Sequence, residues 1–209
     1  QEFAILAGRG VTFFASTGDQ GATNSQPCGT SYNVNFPASC PFVTAVGATT
    51  GYSGETEIVA NAPQSVITSG GGFSTIFTTE AGFNLDFQMN QTNSYRQKIT
   101  SSMSGYPSAG RGLPDIAAAG TNYIVKIDSS NELLDGTSCS SPVMAGITAQ
   151  IMLANGGKRF GNINPLLYAN ENIFFDVSSG QNSGDGKQAY CPSGASSSGP
   201  FMGFAATEG

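Results

Sequence analysis

The sequence predicts an α/β fold built on a mainly parallel sheet, with a buried helix at its centre. Three observations carry this. VTFFAS (11–16) and FVTAVGAT (42–49) are apolar, β-branched runs typical of buried strands. A helical pattern over residues 2–9 stops at Gly10 before the first run, and the Gly-rich loop STGDQGAT follows it. Helix, buried strand and loop in that order make a parallel α/β unit, with function expected in the loop at the strand's C-terminal end. Finally, SPVMAGITAQIMLANGG (141–157) is apolar nearly all round, with Pro in its first turn and Gly-Gly beyond its end.

The remaining elements follow in order. Residues 21–41 hold two cysteines, two prolines and many turn formers, and read as loop. SGGGFST (69–75) reads as a flexible or tightly turned segment, and 76–110 as polar and irregular with helical patches. LPDIAA (113–118) is a short strand or its end. YIVKI (123–127) and ELL (132–134) flank DSSN as a β-hairpin. From 170 onward the chain reads as Gly/Ser-rich loop with a short FFDV strand.

Composition excludes several functions. The chain of 209 residues suits one domain or a little more. It has no histidine, so it holds no Ser-His-Asp or Cys-His triad and no imidazole metal site. Lys plus Arg is 8 against Asp plus Glu 14, net −6, with no basic run to neutralise phosphates, which argues against nucleic acid. No apolar run is long enough to span a bilayer. Low charge (11%) with abundant Gly, Ser and Thr suits a secreted enzyme or one of a lysosome- or vacuole-like acidic compartment. Asn90-Gln91-Thr92 is an N-glycosylation triplet that agrees.

Two segments carry chemistry. GTSCSSP (136–142) joins a strand to the apolar helix, placing Ser138 about three residues before the expected helix start. Backbone N–H groups there stabilise negative charge, which suits a nucleophile whose attack creates an oxyanion. The plain alternative is that Ser138, Ser140 or Ser141 caps the helix. In STGDQG (16–21), Asp19 lies in a glycine-flanked loop after a buried strand. Seen alone it is a turn aspartate; the sharper reading pairs it with Ser138, because the loop resembles the one in which subtilisin-type enzymes hold an asparagine that donates to the oxyanion. A carboxylate cannot donate a hydrogen bond, so that role requires the protonated acid, and it predicts activity in acid.

The heptapeptide resembles the nucleophile motif of the subtilisin-like clan. Aspartate in the oxyanion loop resembles the sedolisins, or serine-carboxyl peptidases, a family that includes tripeptidyl-peptidase and kumamolisin-type enzymes. FPASCPFVTAVGAT (36–49), SGGGFS (69–74), RGLPDIAA (111–118), NINPLLY (162–168) and FFDVSSGQN (174–182) resemble further blocks of that family in its order. The resemblance implies a subtilisin-like, doubly wound sheet and hydrolysis of peptide or protein substrates. It also implies that residues 1–209 are the C-terminal portion of a catalytic domain. The family's base is a Glu oriented by an Asp four residues later on one helix, so that both share a face. No Glu-x-x-x-Asp occurs here; Asp128 and Glu132 have the spacing in the wrong order, across a hairpin turn. The base pair is therefore expected on an upstream segment or companion chain, with a propeptide a further expected partner, and this chain alone is expected to be inactive. The resemblance implies a serine-type peptidase, either an endopeptidase or a tripeptidyl-peptidase.

The resemblance also implies one structural calcium ion. Asp176 and the Val177 carbonyl match the family's first ligands, and the carbonyls of Thr207 and Gly209 match the start of the second block, whose closing Asp lies beyond residue 209. Oxygen-only ligation suits a hard cation. Among the four cysteines, Cys28 and Cys40 flank one loop and are the expected disulfide, with Cys191 an alternative partner for Cys28. Cys139 reads as a small buried residue, because no histidine can activate it. Asp115 reads as a buried, hydrogen-bonded structural residue. Two other functions compete with the acid peptidase. One is a catalytically incomplete descendant or processed fragment acting as a structural or binding module. The other, a histidine-based subtilisin with its His upstream, is disfavoured by Asp19 and SGGGFS.

Overall fold

The computed structural model describes residues 1–23, 32–51, 57–61, 65–99, 105–182 and 203–207. Thr44–Thr50 (β2) is buried at every position, as a strand with partners on both edges must be. Phe14–Ser16 (β1) runs parallel to its first half, Phe14 opposite Thr44 and Ser16 opposite Val46. Ile116–Ala119 (β6) runs parallel to Val46–Thr49. Val46 pairs with both, so β1 and β6 lie on opposite edges of β2. Ile58–Val59 (β3) pairs antiparallel with Thr49 and Thr50. Since Thr49 also faces Ala119, β3 continues the β1 edge. The expected parallel sheet is present, but β1 is shorter than the apolar run suggested and half-buried rather than buried.

Glu2–Gly8 (α1) leads into β1, with Phe3 set edge-on to Phe13 at 4.9 Å. SGGGFST, expected to be flexible or tightly turned, enters a strand instead. Gly72–Thr78 (β4) begins within it and pairs antiparallel with Gly110–Leu113 (β5). The glycines before β4 are there for close approach. Gly70 N–H donates to Gly18 O at 2.7 Å, and a Cβ on Gly70 would overlap the Thr17 carbonyl. Met89–Ile99 (α2) lies between β4 and β5 in sequence. Phe73 packs with Phe204, Tyr32, Ile99 and Ala22 in one buried cluster. Tyr123–Ile127 (β7) and Ser130–Leu134 (β8) form the expected hairpin, turning at Asp128 with φ 52°.

Thr137–Ala154 (α3) differs from expectation in two ways. It starts four residues earlier, placing Ser138 inside the first turn and Pro142 inside the helix. It also lies across β1, β2 and β6 on one face only. That face carries Thr137, Ser140, Ser141 and Thr148, small side chains that let the helix approach the sheet closely. The large apolar residues point the other way: Ile147 is 45% exposed, Ile151 53% and Leu153 77%. Burial all round is therefore not met among the described residues. An all-apolar helix marks no face by its pattern, and here size, not polarity, separates the two sides.

Asn164–Ala169 (α4) has Pro165 at its start. FFDV is not a strand: residues 174–177 follow a short 3₁₀ helix without pairing, and Phe175 is 96% exposed. Asp115 takes its expected structural place. Its Oδ2 accepts from Arg111 at 2.5 Å and Ala45 N–H at 2.7 Å, and its Oδ1 accepts from Tyr168 at 3.0 Å. Burial pushes this carboxyl up while those three donors pull it back.

Candidate active site

The end of β1 and the start of α3 meet across the loop that follows β1. Main-chain bonds fix that loop against residues 68–70. Thr68 N–H donates to Asp19 O at 3.0 Å, Gly70 N–H to Gly18 O, and Gly21 N–H to Thr68 O at 2.9 Å. The fold thereby aims the Asp19 side chain at the start of α3. There Asp19 Oδ1 accepts two hydrogen bonds from one residue, Thr137 N–H and Thr137 Oγ1–H, each at 2.8 Å. The Thr137 hydroxyl oxygen in turn accepts from Gly18 N–H at 3.1 Å. Thr137 is fully buried and Ser138, the next residue, is exposed.

The other carboxyl oxygen faces the turn that carries Ser138. A methyl group built on Gly136 would lie 3.6 Å from Asp19 Oδ2, 3.7 Å from Ser138 Cβ and 3.5 Å from Ser138 N. Asp19 Oδ2 and the Ser138 main chain thus border one small space. The Ser138 N–H, in the first turn, has no acceptor within the helix. Oδ1 already accepts from two donors, and Oδ2 is the oxygen turned to that space. The capping alternative for the serines is not met. The helix is capped at Gly136 without a side-chain bond, and Ser140 Oγ donates instead to Ala119 O at 2.9 Å. Burial together with the Asp19 and Asp135 carboxylates pushes the Cys139 thiol up, the opposite of an activated nucleophile. Cys139 is half-exposed rather than buried as expected.

Thr137 is the site residue that the sequence reading passed over. It stands within the same heptapeptide as Ser138. Its bonding partner lies 118 residues earlier, and nothing local announces it. Asp128 sits in the hairpin turn and Glu132 on exposed β8.

The remaining expected residues lie elsewhere. Asp176 is exposed and Val177 half-buried. Residues 180–182 pair antiparallel with 204–206, Gln181 opposite Ala205, which brings the half-buried Thr207 back alongside this stretch. Gly209 lies outside the described residues, as do Cys28 and Cys191. The donors described here, one carboxylate and main-chain carbonyls, match a hard cation in kind. Among the described residues no group of three or more His, Cys, Asp or Glu could hold a metal. Cys40 is buried and has no disulfide partner among the described residues. Asn90 is exposed at the start of α2, while Thr92 Oγ1 donates to Gln88 O at 2.8 Å. Among the described residues, no helix is long and apolar enough to cross a membrane.

A family model described as the subtilase family (Peptidase_S8) matches residues 3–195. Tripeptidyl-peptidase SED1 of Arthroderma otae is 33% identical over 213 residues, covering 87% of this chain and 32% of that protein. The probable tripeptidyl-peptidase SED2 of Arthroderma benhamiae is 37% identical over 176 residues, covering 80% of this chain and 27% of that protein. The chain spans about a third of the length of these relatives. The structure of Pseudomonas sedolisin, a serine-carboxyl proteinase, matches 98% of this chain and 54% of its own with TM-score 0.66 at 24% identity, a likeness of fold. The chain belongs to the subtilase family, and within it is similar to the sedolisins and tripeptidyl-peptidases.

Proposed function

We propose that this chain supplies the nucleophile and the oxyanion partner of an acid-acting serine-carboxyl peptidase. The observation that carries the reading is the split use of Asp19, with Oδ1 taken by Thr137 and Oδ2 turned toward Gly136 and Ser138. Ser138 Oγ attacks a peptide carbonyl and passes its proton to a Glu, held by an Asp, on a segment outside these 209 residues. Negative charge gathers on the former carbonyl oxygen. Protonated Asp19 Oδ2–H and Ser138 N–H donate to it. The intermediate collapses with expulsion of the amine, which takes the proton, and leaves an acyl-Ser138. Water, deprotonated by the same Glu, then releases the second product. Preorganised donors of this kind each contribute about 10²–10³ in rate.

Residues 1–209 are, on this reading, the C-terminal part of a larger catalytic domain working in an extracellular or other acidic compartment. Asp176, the Val177 and Thr207 carbonyls and Gly209 would hold one calcium ion. Bound there, the ion supplies stability to the tail and no chemistry. The test is Ser138→Ala in the full-length protein, assayed in acid with an internally quenched peptide and with a tripeptidyl substrate carrying a free N-terminus. Loss of both activities is expected. Hydrolysis at the unsubstituted rate refutes the proposal.

A further inference from the structure

The Asp19 loop has an outer support that the chemistry above does not use. Residues 180–182 and 204–206 form a short antiparallel strap, closed by Ala206 N–H to Gly180 O at 2.9 Å. Phe204 anchors it in the aromatic cluster, 5.6 Å from Phe73 and 5.2 Å from Tyr32, centroid to centroid. Asn182, only 6% exposed, is the residue through which the strap grips the catalytic loop. Its main-chain carbonyl accepts from Ala22 N–H at 3.1 Å. Its side chain reaches the other segment of the ladder, Nδ2 donating to Gly71 O at 3.3 Å, while Oδ1 accepts from Phe204 N–H at 2.7 Å. The fit is flush, since a Cβ on Gly21 would overlap the Asn182 carbonyl.

We propose that Asn182 is a positioning residue for the oxyanion site: it clamps the Asp19 loop and the 68–71 segment together, so that Asp19 Oδ2 keeps its place beside Ser138. This inference rests on the roles given above to Asp19 and Ser138. The residue type is set by the task. One short planar group must donate to Gly71 and accept from Phe204 at once, which an amide does and a carboxylate or methyl does not. Both partners are main-chain groups in a buried setting, so losing the amide leaves a donor and an acceptor unpaired and frees the loop to drift. Drift of about 1 Å in a catalytic group is enough to cost rate heavily.

The experiment compares four forms of the full-length protein: unsubstituted, Asn182→Ala, Asn182→Asp and Asn164→Ala. Asn164 is the control, an equally buried amide bonded to Thr44, Pro41 and Val43 and away from the Asp19 loop. Asn182→Ala is expected to lower kcat about tenfold with KM within about twofold, the signature of a lost transition-state contact. Asn182→Asp is expected to approach the unsubstituted kcat at the acid end, where a protonated carboxyl donates to Gly71 O, and to fall to the alanine level as pH rises. Asn164→Ala should lower the melting temperature without lowering kcat. The inference is overturned if Asn182→Ala keeps its kcat, or if Asn164→Ala loses as much. An inactive unsubstituted protein, or an active Ser138→Ala form, refutes the functional reading instead. Amide exchange then decides the clamp alone: faster exchange at Gly70 and Ala22 in Asn182→Ala than in Asn164→Ala upholds it, and equal exchange overturns it.

Discussion

Gly136→Ala separates the chemistry of this site from its architecture. Gly136 has φ 167° and ψ 146°, extended backbone that alanine adopts freely. The nearest heavy atoms to an added methyl are Ser138 N at 3.5 Å, Asp19 Oδ2 at 3.6 Å and Ser138 Cβ at 3.7 Å, all ordinary van der Waals contacts. The fold has no steric reason to object. Replacing Gly by Ala at a compatible position stabilises by about 0.4–1 kcal/mol through the unfolded chain. The same methyl fills the space that Asp19 Oδ2 and the Ser138 N–H border, the proposed place of the oxyanion. Excluding the oxyanion from its donors is expected to lower kcat about 10²-fold or more. The assay is acid hydrolysis of a quenched peptide beside a thermal melt of the same sample. A variant with an unchanged or raised melting temperature and little activity fits the site as described. Retention of kcat within about threefold, with the fold intact, refutes the assignment of that space to the oxyanion.

Asp19→Asn keeps the acceptor that Thr137 needs and puts a permanent donor at the second position. On the proposed role the amide donates at every pH, so the upper limb of the pH profile moves to higher pH in this variant; an unmoved limb removes Asp19 from the oxyanion role. Thr137→Val deletes the hydroxyl that donates to Asp19 Oδ1 and accepts from Gly18 N–H. It should cost about 2 kcal/mol in thermal unfolding, the penalty of an unpaired buried donor. It should also cut kcat about tenfold as Asp19 loses one of its two tethers, and an unchanged kcat argues that the main-chain bond alone positions the carboxyl.

The residues legible in the sequence share a property. Asp19 follows an apolar strand and Ser138 opens a long apolar helix, elements that local pattern identifies, and each stands beside a glycine at the functional end of its element. Position relative to an element is local information. The parallel pairing of β1 and β2 was legible for the same reason, because buried runs separated by loop have few ways to pair. The misread segments are those where local pattern is silent or ambiguous. FFDV has the composition of a strand, yet composition does not supply a partner, and residues 174–177 pair with no strand among the described residues. SGGGFST reads as flexible or tightly turned because glycine permits both. Here the glycines let the backbone of residue 70 lie against Thr17 and Gly18 closely enough to hold the loop rigid.

The site's support is the part least visible in sequence, and its physical character explains why. Asp19 is held by Thr137, residues 68–70 and the strap at Asn182, and most of these bonds involve main-chain N–H and C=O groups. Every residue but proline carries that pair of groups, so a main-chain tether imposes almost no choice of side chain. What it does impose is absence of bulk where two backbones touch. Gly21 against Asn182 O and Gly70 against Thr17 O are such places. The glycines around Asp19 therefore mark the contacts that position its carboxyl. A Gly70→Ala variant should disturb Asp19 as severely as a substitution at Thr137, without touching either catalytic side chain. Loss of kcat accompanied by faster amide exchange at Gly21 and Thr68 is the expected result, and an active, unperturbed Gly70→Ala protein contradicts it.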